Sequence, residues 1–187
     1  MKRNTDPALL VETALGEFMI ELHQRAAPQS CRYVLELVDQ GALTPCNIFR
    51  IVTPFNDVMR DRAPIEVIQL GHQCGDPDTP VVLAHESTLL TGLRHVRGTV
   101  SLPRWRPGAT YKSMFVCLRD EPALDHGGVR AADQRGFAAF GSVVSGWPIL
   151  EAICSQAESQ DYLSQPIAVS RVQRILNPTT FLPSARA

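Results

Sequence analysis

The sequence predicts a mainly β domain, an antiparallel barrel or sandwich. Short runs in which apolar and polar residues alternate recur along the chain. Only two stretches carry helical spacing, and they lie far apart. Many short strands with few, well-separated helices argue against a βαβ-wound sheet. With 187 residues, 44% of them hydrophobic and 20% charged, the chain can bury one sizeable core. It reads as a single domain over 1–187, with its core at about 8–176 and a tail at 177–187.

From 8 to 22, Phe18, Ile20 and Leu22 alternate with Glu17 and Glu21 after the break at Leu15-Gly16, which is the pattern of a β-hairpin. In "APQSCRYVLELVDQG" the period changes: Cys31, Val34, Leu35 and Val38 fall on one helical stripe, Pro28 suits the first turn and Gly41 the end. Further strands are expected at 47–52, 66–70, 98–102, 113–118, 137–144 and 166–176, which brings the total to about eight. A second helix is expected in "GWPILEAICSQAES", with Pro148 near its start and Ile149, Ile153 and Ala157 on one stripe. Two loops rich in charge, Gly and Pro remain, at 53–64 and 119–136; loops of this length are functional or mobile.

Eighteen basic and nineteen acidic residues give a net charge of -1, which lacks the attraction to phosphate that nucleic-acid binding needs. No apolar run is long enough for a signal peptide or a membrane span, so a cytoplasmic location is expected, with no membrane partner. Five widely spaced cysteines (31, 46, 74, 117 and 154) with no Cys-x-x-Cys pair read as free thiols. The stretch "GHQCGD" offers His72, Cys74 and Asp76, with His85-Glu86 downstream, but the spacing matches no standard metal site. No metal and no other cofactor is expected, and neither a serine-nucleophile elbow nor a phosphate loop is present.

The remaining chemistry lies in two polar residues inside apolar runs, Arg50 in "NIFRIV" and Gln69 in "EVIQL". Strand alternation places Ile48, Arg50 and Val52 on one face and Phe49 and Ile51 on the other. Val67 and Gln69 likewise oppose Ile68 and Leu70. Such a mixed face is either a wet outer wall or a ligand groove, and alternation alone does not distinguish them.

The order of the motifs resembles the cyclophilin family of peptidyl-prolyl isomerases, particularly its bacterial branch. The likeness rests on "VETALGEFMIEL", "AAPQSCRYVLELVDQGAL", "NIFRIV", "IEVIQLG", "TGLRHVRGTVSLPR", "SMFVCL", "LDHGG", "FAAFGSVVSGWPILEAI" and "PIAVSRVQRI", in register from about 8 to 176. It implies a closed eight-stranded antiparallel β-barrel capped by two α-helices, with the substrate groove on the outside of the barrel. It implies that Arg50 is the catalytic arginine and that Gln69 holds both Arg50 and the substrate carbonyl. The substrate-binding positions it implies are Phe49, Val67, Pro103 and Arg104, together with Met114, Val116, Leu124 and Phe137.

The chain departs from the family around the proline-ring pocket. The usual Phe-Met pair, second Phe and Leu correspond to Glu66, Val67, Val116 and Leu124, so on this register only the Leu is kept. Met114 replaces a polar groove residue, Ala123 stands where a Trp or Phe is common, and Phe137 stands for a His or Tyr. Pro103 removes a backbone N–H from the strand that faces the peptide. Two functions follow: an isomerase of reduced or restricted activity on Xaa-Pro bonds, which assists folding, or a weakly catalytic binding module for proline-containing segments. The expected partners are proline-containing peptides or client proteins, with weak cyclosporin binding because of Ala123.

Overall fold

The computed structural model describes residues 6–59, 61–73 and 80–175. In chain order its elements are β1 (Ala8–Thr13), β2 (Gly16–Leu22), α1 (Pro28–Asp39), β3 (Cys46–Val52), β4 (Val67–Gly71), β5 (Val81–Val82) and α2 (Thr88–Thr91). There follow β6 (Thr99–Leu102), β7 (Ala109–Thr110), β8 (Ser113–Cys117), β9 (Ala138–Ser145), α3 (Trp147–Cys154) and β10 (Tyr162–Ile175). Eight of the strands close a barrel in the order β1-β10-β3-β4-β8-β6-β9-β2, and every pairing is antiparallel. The tail at 177–187 lies outside the described residues.

The expected hairpin is β1–β2. Thr13 Oγ1 donates to the Gly16 carbonyl (2.7 Å) and accepts the Leu15 N–H (3.1 Å), while Gly16 adopts φ +130°, a conformation an L side chain rarely takes. The inward residues Phe18, Ile20 and Leu22 meet Ile48, Ile51, Ile68, Leu70, Val100 and Phe140 from around the barrel. Helix α1 closes this core with Cys31, Val34, Leu35 and Val38, the stripe read from the sequence. Its first turn carries no side-chain cap of its own; the buried Glu86 accepts the backbone N–H groups of Gln29 (2.9 Å) and Ser30 (2.8 Å). Helix α3 contributes Leu150 and Ile153 to the same core, and it stops at Cys154, so Ala157 lies beyond it.

Three features lie outside the sequence reading. The strand pair β5–β7 forms a separate two-stranded sheet, and α2 is a single turn; both are too short to show a period. More consequential is a bulge in β3. Ile48 pairs with Leu70 and Arg50 pairs with Gln69, so Phe49 is an extra residue on the β3 side. The bulge reverses parity: Ile48 and Ile51 both enter the barrel core, while Arg50 and Val52 face outward. The predicted common face of Ile48 and Arg50 is therefore corrected.

Candidate active site

A second apolar cluster lies on the outer wall of the barrel. Val52 and Val67 come from β3 and β4, Phe115 and Cys117 from β8, and Ile65 and Leu124 from the adjoining loops, with Phe137 packed against them. Of these, Ile65, Val67, Phe115, Leu124 and Phe137 floor a groove of about 620 Å³ whose rim is polar. Arg50 and Gln69 sit side by side along it, because β3 and β4 pair at that position.

Arg50 is clamped. Its Nε–H and an Nη2–H both reach Asp161 Oδ2, at 2.8 and 2.7 Å, and Nη1–H donates to Gln69 Oε1 at 3.4 Å. Its head group also lies 5.3 Å from the centre of the Tyr162 ring. Three of the five guanidinium N–H donors are thus engaged, which leaves one on each Nη for a ligand in the groove. Gln69 is oriented from behind, its Nε2 donating to Tyr111 (2.8 Å) and to Ser113 (3.3 Å), so its carbonyl oxygen is the atom turned toward Arg50. Asp161 is held in turn by the start of β10. Its carbonyl accepts the Ile51 N–H (2.8 Å), and Asn56 ties the carbonyls of Ile51, Glu158 and Gln160 together through Nδ2 at 2.9, 2.9 and 3.3 Å.

The implied substrate positions divide. Val67, Pro103, Arg104, Leu124 and Phe137 line the groove. Met114 and Val116 do not: both are buried inside the barrel, where they pack with Ile68 and Leu70. The register is decided by β4, since Gln69 lies opposite Phe115 and Ile68 opposite Val116, and opposite residues on paired strands share a face. The aromatic wall that the sequence register removed is present one residue earlier, as Phe115. Its ring meets Phe137 edge-on (5.7 Å, 87°) and stacks on His95 (6.1 Å, 11°). Phe49 is also corrected: it is buried and stacked behind Tyr162 (6.2 Å), and Tyr162 presents the ring that lines the groove. Glu66 is absent from the lining; its carboxylate turns to Cys154 Sγ at 3.8 Å.

His95 stiffens the floor. Its Nδ1–H donates to Asp125 (2.8 Å) and its Nε2 lies 3.0 Å from Ser101 Oγ. Burial works against the charge of Asp125, but the side-chain and backbone donors of His95 outweigh it and hold the carboxyl below its usual range. The two long loops form the walls. Arg130 of the second inserts a bidentate grip on Asp57 of the first, Nη1 to Oδ2 at 2.6 Å and Nη2 to Oδ1 at 2.9 Å, with both side chains buried. For Asp57 too, burial is the largest influence and opposes charge, and Arg130 overcomes it. Arg104 is pinned by Asp133 (2.9 and 2.7 Å) and by the Gly136 carbonyl (2.6 Å), with its head group 5.0 Å from the Phe137 ring. The 119–136 loop thus reaches the groove, with Leu124 in its floor and residues 130–133 along one side.

Asp161, Tyr162, Asn56 and Tyr111 were not singled out from sequence. Asp161 and Asn56 sit in loops with no period to mark them, and nothing local pairs them with Arg50. Of the candidate metal ligands, His72 contacts the Ala42 carbonyl (2.7 Å), His85 the Arg135 carbonyl (3.0 Å), and Glu86 holds α1. Cys74 and Asp76 fall outside the described residues. No described group of three His, Cys, Asp or Glu side chains gathers to hold a metal.

A barrel with an arginine-centred groove on its outer wall sets a permanent cation beside a cup of rings and branched aliphatics. Residues 8–174 match the family model described as cyclophilin type peptidyl-prolyl cis-trans isomerase/CLD, and the chain belongs to that family. Membership places it in an enzyme class that interconverts the cis and trans forms of Xaa-Pro bonds. It is 27% identical over 183 residues to peptidyl-prolyl cis-trans isomerase A of Dickeya dadantii, covering 91% of this chain and 86% of that one. It is 25% identical over 166 residues to a peptidyl-prolyl cis-trans isomerase of Streptomyces antibioticus, covering 85% and 93%. In fold it is similar to a cyclophilin type isomerase of Cryptosporidium parvum crystallised in the presence of the dipeptide Ala-Pro, with TM-score 0.71 and 16% identity over 91% of this chain and 99% of that one.

Proposed function

We propose that the groove binds proline-containing segments and that Arg50 catalyses their isomerisation electrostatically. Rotation about an Xaa-Pro bond breaks amide resonance and faces a barrier of about 20 kcal/mol. In the twisted state the prolyl nitrogen regains its lone pair, so a rigid cationic donor aimed at it binds that state better than either planar isomer. The observation that carries the reading is the clamp on Arg50. Asp161 and Gln69 hold the guanidinium in place while two donors stay open beside an apolar cup made of Val67, Phe115, Leu124 and Phe137.

The activity is restricted in substrate range. Val67 gives a thinner wall than the expected Met, and Pro103 offers the peptide no N–H. Pro103 is also what favours the second reading, a binding module with little turnover. NMR exchange measurements on a varied set of Xaa-Pro peptides decide between them: acceleration by wild type and its loss in Arg50→Ala are expected. No acceleration of any peptide leaves the binding module, and equal acceleration by the variant removes Arg50 from the mechanism.

Cyclosporin binds weakly on this reading, because Ala123 supplies no ring at the position where tight binders have Trp. A submicromolar Kd by calorimetry contradicts this.

A further inference from the structure

Among the described residues four arginines line the groove, Arg50, Arg62, Arg104 and Arg130. Three of them have a carboxylate of their own: Asp161 for Arg50, Asp133 for Arg104 and Asp57 for Arg130, at 2.7, 2.7 and 2.6 Å. The fourth does not. Among the described residues Arg62 forms no ion pair, and the adjacent Asp61 is exposed and forms none with it. The Arg62 head group is nevertheless positioned, because its Nη1–H donates to the Arg130 carbonyl at 2.8 Å and Arg130 is itself locked to Asp57. An anchored guanidinium with most of its donors unspent, on the rim of an apolar groove, is set to receive a planar anion.

We infer that Arg62 recognises a carboxylate on the C-terminal side of the prolyl residue, either an Asp or Glu side chain just after it or a free C-terminus. The inference rests on the reading of the groove given above. That reading puts the prolyl nitrogen at Arg50, which pairs with Gln69 across the two strands, and the ring against Val67. Gln69, Val67 and Ile65 follow one another on the same face of the chain, at steps of roughly 6.6 Å per two residues. Whatever follows the ring therefore passes Ile65 and reaches the rim held by Arg62, with the exposed apolar side chains of Val58 and Met59 beside it. The arithmetic of the described residues agrees, since four cations against three paired anions leave one positive charge unanswered.

The test uses amide-capped peptides of the form Ala-Ala-Pro-Glu-Ala and Ala-Ala-Pro-Gln-Ala, one with Glu moved ahead of the proline, and Ala-Ala-Pro-Ala with a free or an amidated end. Binding is read by NMR titration and isomerisation by exchange in the same samples. The Glu peptide is expected to bind about threefold tighter than the Gln peptide, as for a partly exposed ion pair, and less so as salt is raised. The difference disappears in Arg62→Gln and returns in Arg62→Lys. A gain from Glu, from the free end or from both supports the inference and names the source. Equal binding of the Glu and Gln peptides by wild type overturns it, as does a preference that survives Arg62→Gln or one that appears only when Glu precedes the proline. Loss of acceleration for every peptide removes the isomerase reading separately and leaves the affinity comparison standing.

Discussion

Arg50 and Asp161 are joined through one carboxylate oxygen that accepts the Nε–H at 2.8 Å and lies 2.7 Å from Nη2, although they stand 111 positions apart in the chain. The arginine side chain is 19% exposed and the aspartate 4%, so the anion faces protein and the cation keeps an opening to the groove. Asp161 is a positioning residue on this geometry. Asp161→Asn keeps the shape and removes the charge, and the exchange rate is expected to fall about tenfold while peptide affinity changes less than twofold. An unchanged rate removes Asp161 from the mechanism. Arg50→Ala strands the buried carboxylate and is expected to cost about 3 kcal/mol of stability in urea denaturation, besides the rate.

Phe115 and its neighbour Met114 point to opposite sides of the barrel wall, and their variants are expected to separate cleanly. Phe115→Ala removes a wall of the cup, and peptide affinity falls about tenfold by the area of ring lost from the contact. Met114→Ala opens a cavity in the barrel core and costs about 2–5 kcal/mol of stability with peptide affinity unchanged. Paired NMR titrations and urea melts check both. A loss of affinity in a folded Met114→Ala protein contradicts the register assigned to β8.

Asp57 ties the groove walls through Arg130, and its carboxyl is held below its usual range. A lowered folded-state value means that this stability is present above the unfolded value, near ~3.9, and is lost as pH falls through the folded value. Asp133 behaves alike: hydrogen bonds from Arg104 hold it at about 2. The thermal midpoint is therefore expected to drop between about pH 4 and pH 2, and the drop is shallower in Asp57→Asn, which starts lower by about 3 kcal/mol at neutral pH. An acid profile identical to wild type contradicts the role of the pair.

Three thiols are shielded by the fold. Burial pushes Cys31 up to about 12 and Cys46 up to about 11, and it raises Cys117 as well. At pH 8 these three are expected to react with Ellman's reagent only after unfolding, with the sites identified by mass spectrometry. Rapid labelling of Cys117 in the native protein contradicts the packing described for the groove wall.

The sequence by itself determined the elements whose residues announce themselves locally: the β1–β2 hairpin, the stripe of α1, most barrel strands, and the charged and amide side chains of Arg50 and Gln69 inside apolar runs. Those signals are periodic, and period survives without tertiary contacts. Only the tertiary structure decided the parity of β3, because a bulge at Phe49 depends on the register of β4 beside it. The same holds for the floor of the cup. Phe115 and Val116 look alike in an all-buried strand, and pairing with Gln69 and Ile68 chooses between them. Asp161 and Arg130 had no signal of their own; each is a charge in a loop whose meaning is its partner, brought within 3 Å by the closure of the barrel and the packing of its loops.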